Sequence, residues 1–380
     1  MEHTHSYTAE LTPRRRHILQ LCLEEYIRTG EPIGSSAVAT AMGHAVSSAT
    51  VRAEMAELTA MGLMQQPHTS AGRIPTAPAF RLYIDRLTAS DTRRGEALSS
   101  AHRRNIDDTL EKHANDPACL PEQAAQLLAE ATDCAAVAGI STDEAAQTGL
   151  IVQGIQLLPL PGEGNTSRGC LAALVLAVQG GLVRTRVCRL IPTPTRTALN
   201  MLEQLLTYEV VGHSLHSLTQ ARMQNLLSAL GEYALTFAPV LSTVYELAQQ
   251  FREADYRLTG QTNLLHHPGL PPEGARALLD FFSARERVTA LLEASSTLPR
   301  TDSLRVVFGS EAFGANPRET ADSAELAGTS FVLTRYRAGR APIGGVLGVI
   351  GPLRMDYAHT IAITRHVANT LGRLLEELLD

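Results

Sequence analysis

Two short segments combine hydroxyl groups with an arginine at close spacing. The first holds Ser47, Ser48, Thr50 and Arg52; the second is His68-Thr69-Ser70-Ala71-Gly72-Arg73. Groups of this kind suit hydrogen bonding to double-stranded DNA. An arginine can bond guanine in the major groove, and a threonine can meet a thymine methyl or a phosphate. Hydroxyls and an arginine on a small turn suit phosphate contact or minor-groove insertion. Each segment also has a plain reading. The serines of the first are good helix caps and its arginine a solvated charge; the second is an ordinary polar hairpin tip. Arg14, Ser35 and Ser36 join the candidate DNA-contact set.

Other chemistries have weaker material. Lys112 is the only lysine, so no phosphate loop with a Gly-Lys-Ser/Thr core can occur. Neither H-E-x-x-H nor G-x-S-x-G is present. Cys22, Cys119, Cys134, Cys170 and Cys188 are odd in number and far apart, which argues against a disulfide framework or a cysteine zinc site. His266-His267 beside Pro268 has poor geometry for a metal, and His3 and His5 sit near the chain's start. We expect no catalytic constellation, no metal and no cofactor.

The elements that must hold the first two segments are legible. Thr12 can cap a helix with Pro13 at its first position, and Gly30 ends it. Ser35 or Ser36 can cap a short helix that Gly43 stops. Ser47 or Ser48 then caps a third, with Val51, Met55 and Leu58 on one stripe. Gly62–Gln66, a polar tip and Ile74-Pro75 form a hairpin with Gly72 in its turn. Three helices and a hairpin describe a winged helix-turn-helix over 11–87, whose third helix enters the major groove by its N-terminal turn. Arg14, Arg15, Arg16, Arg28, Arg52, Arg73, Arg81 and Arg86 balance Glu2, Glu10, Glu24, Glu25, Glu31, Glu54, Glu57 and Asp85. The unit is formally neutral. DNA affinity then requires Arg14–Arg16, Arg52 and Arg73 to share a face, with the acids elsewhere, and specific binding should be strongly salt-dependent.

Beyond it, residues 1–10 read as a mobile tail and 88–104 as a linker. Helical patterns occupy 105–140, including 121–134. Strand character follows in 169–179, with a Gly180-Gly181 turn. Residues 182–191 then alternate, Val183, Thr185 and Val187 facing opposite to Arg184 and Arg186, as in a half-buried antiparallel pair. Residues 197–297 are helical, strands return at 304–308, 329–337 and 344–350, and a last helix runs from Asp356. This pattern is an α+β multidomain chain with a helical insertion. Its 380 residues allow two to three domains, and 44% hydrophobic with 19% charged residues is ordinary for a globular protein. The net charge of -6 argues against a general nucleic-acid coat, and 4% aromatic content without tryptophan against a single-strand stacking surface. No run of apolar residues is long enough to span a bilayer, and the N-terminus lacks a secretory pattern, so a cytoplasmic protein with no membrane partner is expected.

The segments TGEPIGSSAVA and VSSATVRAEMAELTAMGLMQQPHTSAGRIPTAPAFRLYIDRL resemble the heat-inducible transcription repressor family HrcA. So do ADYRLTGQTNLLHHP (254–268) and GGVLGVIGPLRMDYAHTIAITRHVANTL (344–371). The resemblance implies a GAF-like domain over 105–196 and 298–380, interrupted by a dimerisation domain at 197–297. It also implies a homodimer on the CIRCE inverted repeat upstream of chaperone operons such as groE and dnaK, with activity dependent on the GroE chaperonin. Ser47, Ser48, Thr50 and Arg52 match the family's recognition helix; His68, Thr69, Ser70 and Arg73 match its wing. The family commonly has Asn after the helix arginine, where this chain has Ala53, and the chain is longer around 155–170 and 310–328. The alternative is a winged-helix repressor gated by a small ligand in the GAF-like domain, an analogy at the level of fold.

Overall fold

A computed structural model describes residues 11–68, 71–90, 98–141, 150–160, 169–179, 181–251, 255–296, 304–311, 326–339 and 344–379. The tail at 1–10 and the wing-tip residues Thr69 and Ser70 lie outside the described residues.

Helix α1 (Pro13–Thr29) begins where the Thr12 side chain accepts the Arg15 N–H, and ends at Gly30, whose φ of 75° is left-handed. Helix α2 (Ser35–Ala41) follows. Gly34 occupies its cap position without a side-chain bond, so neither Ser35 nor Ser36 caps it. Ser47 caps helix α3 (Ser48–Ala60) by accepting the Thr50 N–H, and Val51, Met55 and Leu58 are its buried stripe. Strands β1 (Met64–Gln65) and β2 (Ile74–Pro75) pair antiparallel. Ile33 adds a third rung by exchanging both backbone bonds with Arg73, each 2.9 Å. Gly72 is needed there for closeness, not for a left-handed turn: a Cβ would lie 2.5 Å from the Ile33 carbonyl oxygen. Helix α4 (Ala77–Ser90) closes the unit.

Helices α5 (Ser100–Glu111) and α6 (Leu120–Thr132) lead into strand β3 (Ala135–Ser141). Strands β4 (Val152–Pro159), β5 (Cys170–Val178) and β6 (Leu182–Leu190) make a separate three-stranded antiparallel sheet. Helices α7 (Arg196–Val210), α8 (Gln220–Ala229) and α9 (Ala234–Gln250) share one hydrophobic cluster with its inner face. The chain then returns through β7 (Asp255–Thr259), α10 (Asn263–His266), α11 (Pro272–Ser283) and α12 (Arg285–Ser296). It ends with β8 (Leu304–Phe308), β9 (Thr329–Arg337), β10 (Gly344–Pro352) and α13 (Tyr357–Leu379).

The main sheet has the order β7-β3-β10-β9-β8, every pair antiparallel. Alternate residues separate its faces. Ala136, Ala138, Val332, Tyr336, Leu347 and Val349 join a core with α5, α6, α13 and the winged helix. Ala135, Val137, Phe331, Leu333, Val346 and Ile350 join another with α11 and α12. Both faces are therefore filled. Gly139, for example, lies under Leu292, whose Cδ1 would be 3.0 Å from a Cβ there. This is the expected multidomain α+β class.

The elements group differently from the expected boundaries. Strands β4–β6 pack with α7–α9, so the unit interrupting the main sheet covers 150–251 of the described residues. Helices α11 and α12 belong to the main sheet. Of the 197–297 stretch expected to form the insertion, residues 255–296 therefore pack elsewhere. The alternation expected along β6 is present, with the valines on the solvent side. Val183 and Val187 are 55% and 54% exposed. On the other side, the Arg184 guanidinium lies 5.7 Å from the Phe251 ring centroid and Arg186 bonds Glu246 at 2.6 Å.

Candidate nucleic-acid interface

The third helix offers its N-terminal turn to solvent. Ser47, Ser48, Ala49, Arg52 and Ala53 are exposed, and Thr50 is half-buried. The hydroxyls are not equivalent. Ser47 Oγ accepts the Thr50 N–H at 3.1 Å and lies 2.9 Å from Thr50 Oγ1, so both serve the cap. Ser48 Oγ lies 3.1 Å from Ser35 Oγ, which ties the start of α3 to the start of α2 and fixes the turn between them. Ser36 is exposed one residue further along. That turn carries His44 at φ 57°, exposed, a position not singled out from the sequence. Its only early signal was the preceding Gly43.

The arginines divide. Among the described residues Arg14 and Arg52 are exposed and make no hydrogen bond or ion pair. Arg15 is turned inward. Its Nε donates to Glu54 Oε2 at 2.7 Å and Nη2 lies 3.5 Å from Glu57 Oε2, which clamps α1 to the back of α3. The Glu54 carboxylate holds that guanidinium above its usual range. Arg16 donates to the Leu11 carbonyl at 3.2 Å. Arg73 reaches back to Thr59 Oγ1 at 2.8 Å, bracing the wing's base against the C-terminal end of α3. The segregation of charge is thus achieved by pairing. Glu54 and Glu57 on α3 meet Arg15, which would lower their repulsion of a phosphate backbone and leaves Arg52 as the exposed cation near the helix's N-terminal end.

The wing is short. His68 is exposed, and its carbonyl accepts the Ala71 N–H at 2.9 Å. Gln66 bonds the Ala71 carbonyl at 3.0 Å across the hairpin. A lone glutamine in a strand gives no local signal in the sequence. Ser36, Ser47, Ser48 and Arg52 are all exposed near the starts of α2 and α3. Arg73 serves the wing's attachment.

No group of three or more His, Cys, Asp or Glu residues able to hold a metal occurs among the described residues. His267 accepts the Gly269 N–H at 3.0 Å, and burial pushes its pKa down. Asp356 caps α13, accepting the His359 N–H at 3.0 Å. No helix among the described residues is long and apolar enough to cross a membrane.

Two family models match the chain. The winged helix-turn-helix transcription repressor, HrcA DNA-binding, matches residues 10–87, and the HrcA protein C terminal domain matches 120–361. The heat-inducible transcription repressor HrcA of Nitratidesulfovibrio vulgaris strain DP4 is 32% identical over 97% of this chain and 98% of its own. Its namesake in Symbiobacterium thermophilum is 30% identical over 95% and 98%. A crystal structure of a hypothetical protein at 2.2 Å resolution superposes with a TM-score of 0.62 at 20% identity, over 97% of this chain and 99% of that one.

Proposed function

Since the chain belongs to the HrcA family of heat-inducible transcription repressors, we propose that it binds the CIRCE inverted repeat as a homodimer and represses chaperone operons such as groE and dnaK. Repression needs no chemistry. Occupying the operator is sufficient. The observation that carries the reading is the exposed N-terminal turn of α3, with Arg52 unpaired among the described residues and the helix's own acids drawn back onto Arg15. Ser48 and Arg52 are the candidate base readers, Ser47 and Thr50 hold the cap, and Arg14, Ser36 and His68 are candidate phosphate contacts.

An inverted-repeat operator is matched by two-fold symmetry in the protein. Support for a second copy comes from 150–251, which among the described residues carries most of the exposed large apolar side chains, including Leu158, Leu171, Val183 and Val187 on one face of the three-stranded sheet. Apolar area of this kind is ordinarily covered. Dependence on the GroE chaperonin rests on family membership alone.

The test is a salt-titrated binding assay on a CIRCE duplex and a scrambled control, with and without GroE. Operator-selective binding that weakens steeply with salt, and that the chaperonin improves, is the expected result. Selectivity indifferent to the chaperonin would keep the operator and remove GroE from the scheme. No selectivity at any salt concentration would overturn the reading.

A further inference from the structure

Neither later motif lies in the winged helix, yet a loop of 344–371 reaches α1, and the end of 255–268 lies beside that loop. The loop after β10 runs Gly351-Pro352-Leu353-Arg354-Met355-Asp356. It is pinned three times: the Leu353 N–H donates to the Gly328 carbonyl at 2.7 Å, the Tyr357 hydroxyl donates to the Leu353 carbonyl at 2.8 Å, and Asp356 caps α13. From this rigid loop, Arg354 Nη1 donates to the Ile27 carbonyl at 3.1 Å. Ile27 lies in the last turn of α1, where helix carbonyls lack partners and the helix dipole favours a cation. The Glu31 N–H, which would reach that carbonyl if the helix continued, donates instead to Thr29 Oγ1 at 3.2 Å. Gly30 lets the guanidinium approach, since a Cβ there would lie 2.9 Å from its central carbon. Gly269, just beyond the other motif, backs the loop closely. A Cβ on it would lie 3.0 Å from the Arg354 carbonyl oxygen.

A second arginine works in the reverse direction. Arg81 of α4 donates to the Val306 carbonyl at 2.7 Å and places its guanidinium 4.1 Å from the Phe308 ring centroid. Strand β8 is an edge of the main sheet, so its outward carbonyls face no further strand. Between the two arginines Phe80 sits 6.4 Å from Tyr26 and 6.0 Å from Tyr357, all centroid to centroid, and Phe80 and Tyr357 are fully buried.

We infer that Arg354, capping α1 from the main domain and seconded by Arg81, is a positioning residue that fixes the direction in which the winged helix presents α3. This rests on the operator reading for its consequence. In a dimer, two reading helices held at a fixed separation accept one half-site spacing, whereas loosely tethered ones accept several. Arg354 touches no DNA in this scheme. It acts through the orientation of α1, to which α3 is clamped by Arg15.

The experiment uses full-length protein with R354A, R81A and R354K. Hydrogen exchange without DNA reads the attachment. In R354A the amides at the C-terminal turn of α1 exchange about tenfold faster; R354K, which keeps a cation and a donor at the helix end, stays close to wild type. Binding is then measured on a single half-site and on inverted repeats whose separation is altered by about half a helical turn, about 5 base pairs. R354A keeps its single half-site affinity but loses much of its preference for the native separation, and R81A follows in the same direction. Unchanged exchange in both R354A and R81A would overturn the proposal, whatever the DNA results. Faster exchange with an unchanged spacing profile would overturn the positioning role. Wild-type protein that prefers no spacing would sink the operator reading, and exchange would still decide whether the arginines hold the domain.

Discussion

At the scale of single residues the reading end of α3 depends on few groups. Arg52 is exposed and, among the described residues, makes no ion pair, so its truncation should leave folding intact and act on DNA alone. Arg52→Ala is expected to cost about 1–3 kcal/mol on the operator and to relax selectivity at one base pair. Fluorescence anisotropy on operator and scrambled duplexes checks it: an equal loss on both would assign Arg52 to phosphate instead. The sequence signalled this residue because serines and threonines before an arginine mark a helix start wherever they occur. It could not rank the serines. Ser35 and Ser36 carry the same capping chemistry as Ser47, and only the fold shows Gly34 in the cap position and Ser35 turned toward Ser48. Arg73 has the same lesson. Its type and place in the wing suit DNA, and its side chain goes to Thr59. Gly72 is a sharper case, because its backbone passes the Ile33 carbonyl where a Cβ has no room and the neighbour is backbone, which cannot swing away. Gly72→Ala should break the rung between Ile33 and Arg73 and cost about 1–3 kcal/mol by overpacking, read as a lowered thermal midpoint. An unchanged midpoint would mean the wing shifts freely.

At the scale of elements, periodicity located strands and helices well where burial was one-sided. Strands β8, β9 and β10 and helix α13 stand where alternation and helical stripes placed them. Strands β3, β4 and β7 carry no such signal, and β4 (Val152–Pro159) falls partly in the stretch around 155–170 that reads as a loop. β3 is rich in alanine, a helix former, and becomes a strand because β10 and β7 flank it on both edges. Alternation along β6 was visible, but a period of two says only that the faces differ. Here the valines face out and the arginines line the helix-packed side, which they can do because their stems pack while their heads reach Phe251 and Glu246. The outward valines oppose Ala173 and Ala177 on β5, giving an apolar strip beside Thr185 and Arg189 that a second copy would cover on the proposed reading. Val187→Arg, already exposed by half, should leave the monomer fold intact and shift the protein to monomer in sedimentation equilibrium. A variant that stays dimeric would move the interface off this face.

At the scale of the whole molecule the question is which parts melt together, since on the proposed reading the repressor releases its operator when the temperature rises. One hydrophobic cluster runs without a break from Ile18 and Leu58 of the winged helix through Phe80 to Tyr357 and Val349 of the main domain. A different cluster holds 150–251 together. Neither division was legible in the sequence, because which apolar stripe meets which is decided by packing across distant segments. Three cysteines report on it. Cys22 in α1 and Cys134 before β3 belong to the first cluster and Cys188 in β6 to the second. Burial pushes the Cys22 and Cys134 thiols up to about 12, so almost none is thiolate near neutral pH and labelling must await opening. Cys119 is exposed and needs no opening to react. In pulsed alkylation over a temperature ramp, Cys22 and Cys134 should become reactive at one common midpoint, with Cys188 following a midpoint of its own. That outcome would mean the winged helix has no separate melting step, so that heat removes the reading head and its platform as a unit. If Cys22 instead reacts well below Cys134, the winged helix opens alone. The continuous core would then be too weak to couple them, and the Arg354 and Arg81 contacts would be the first to go.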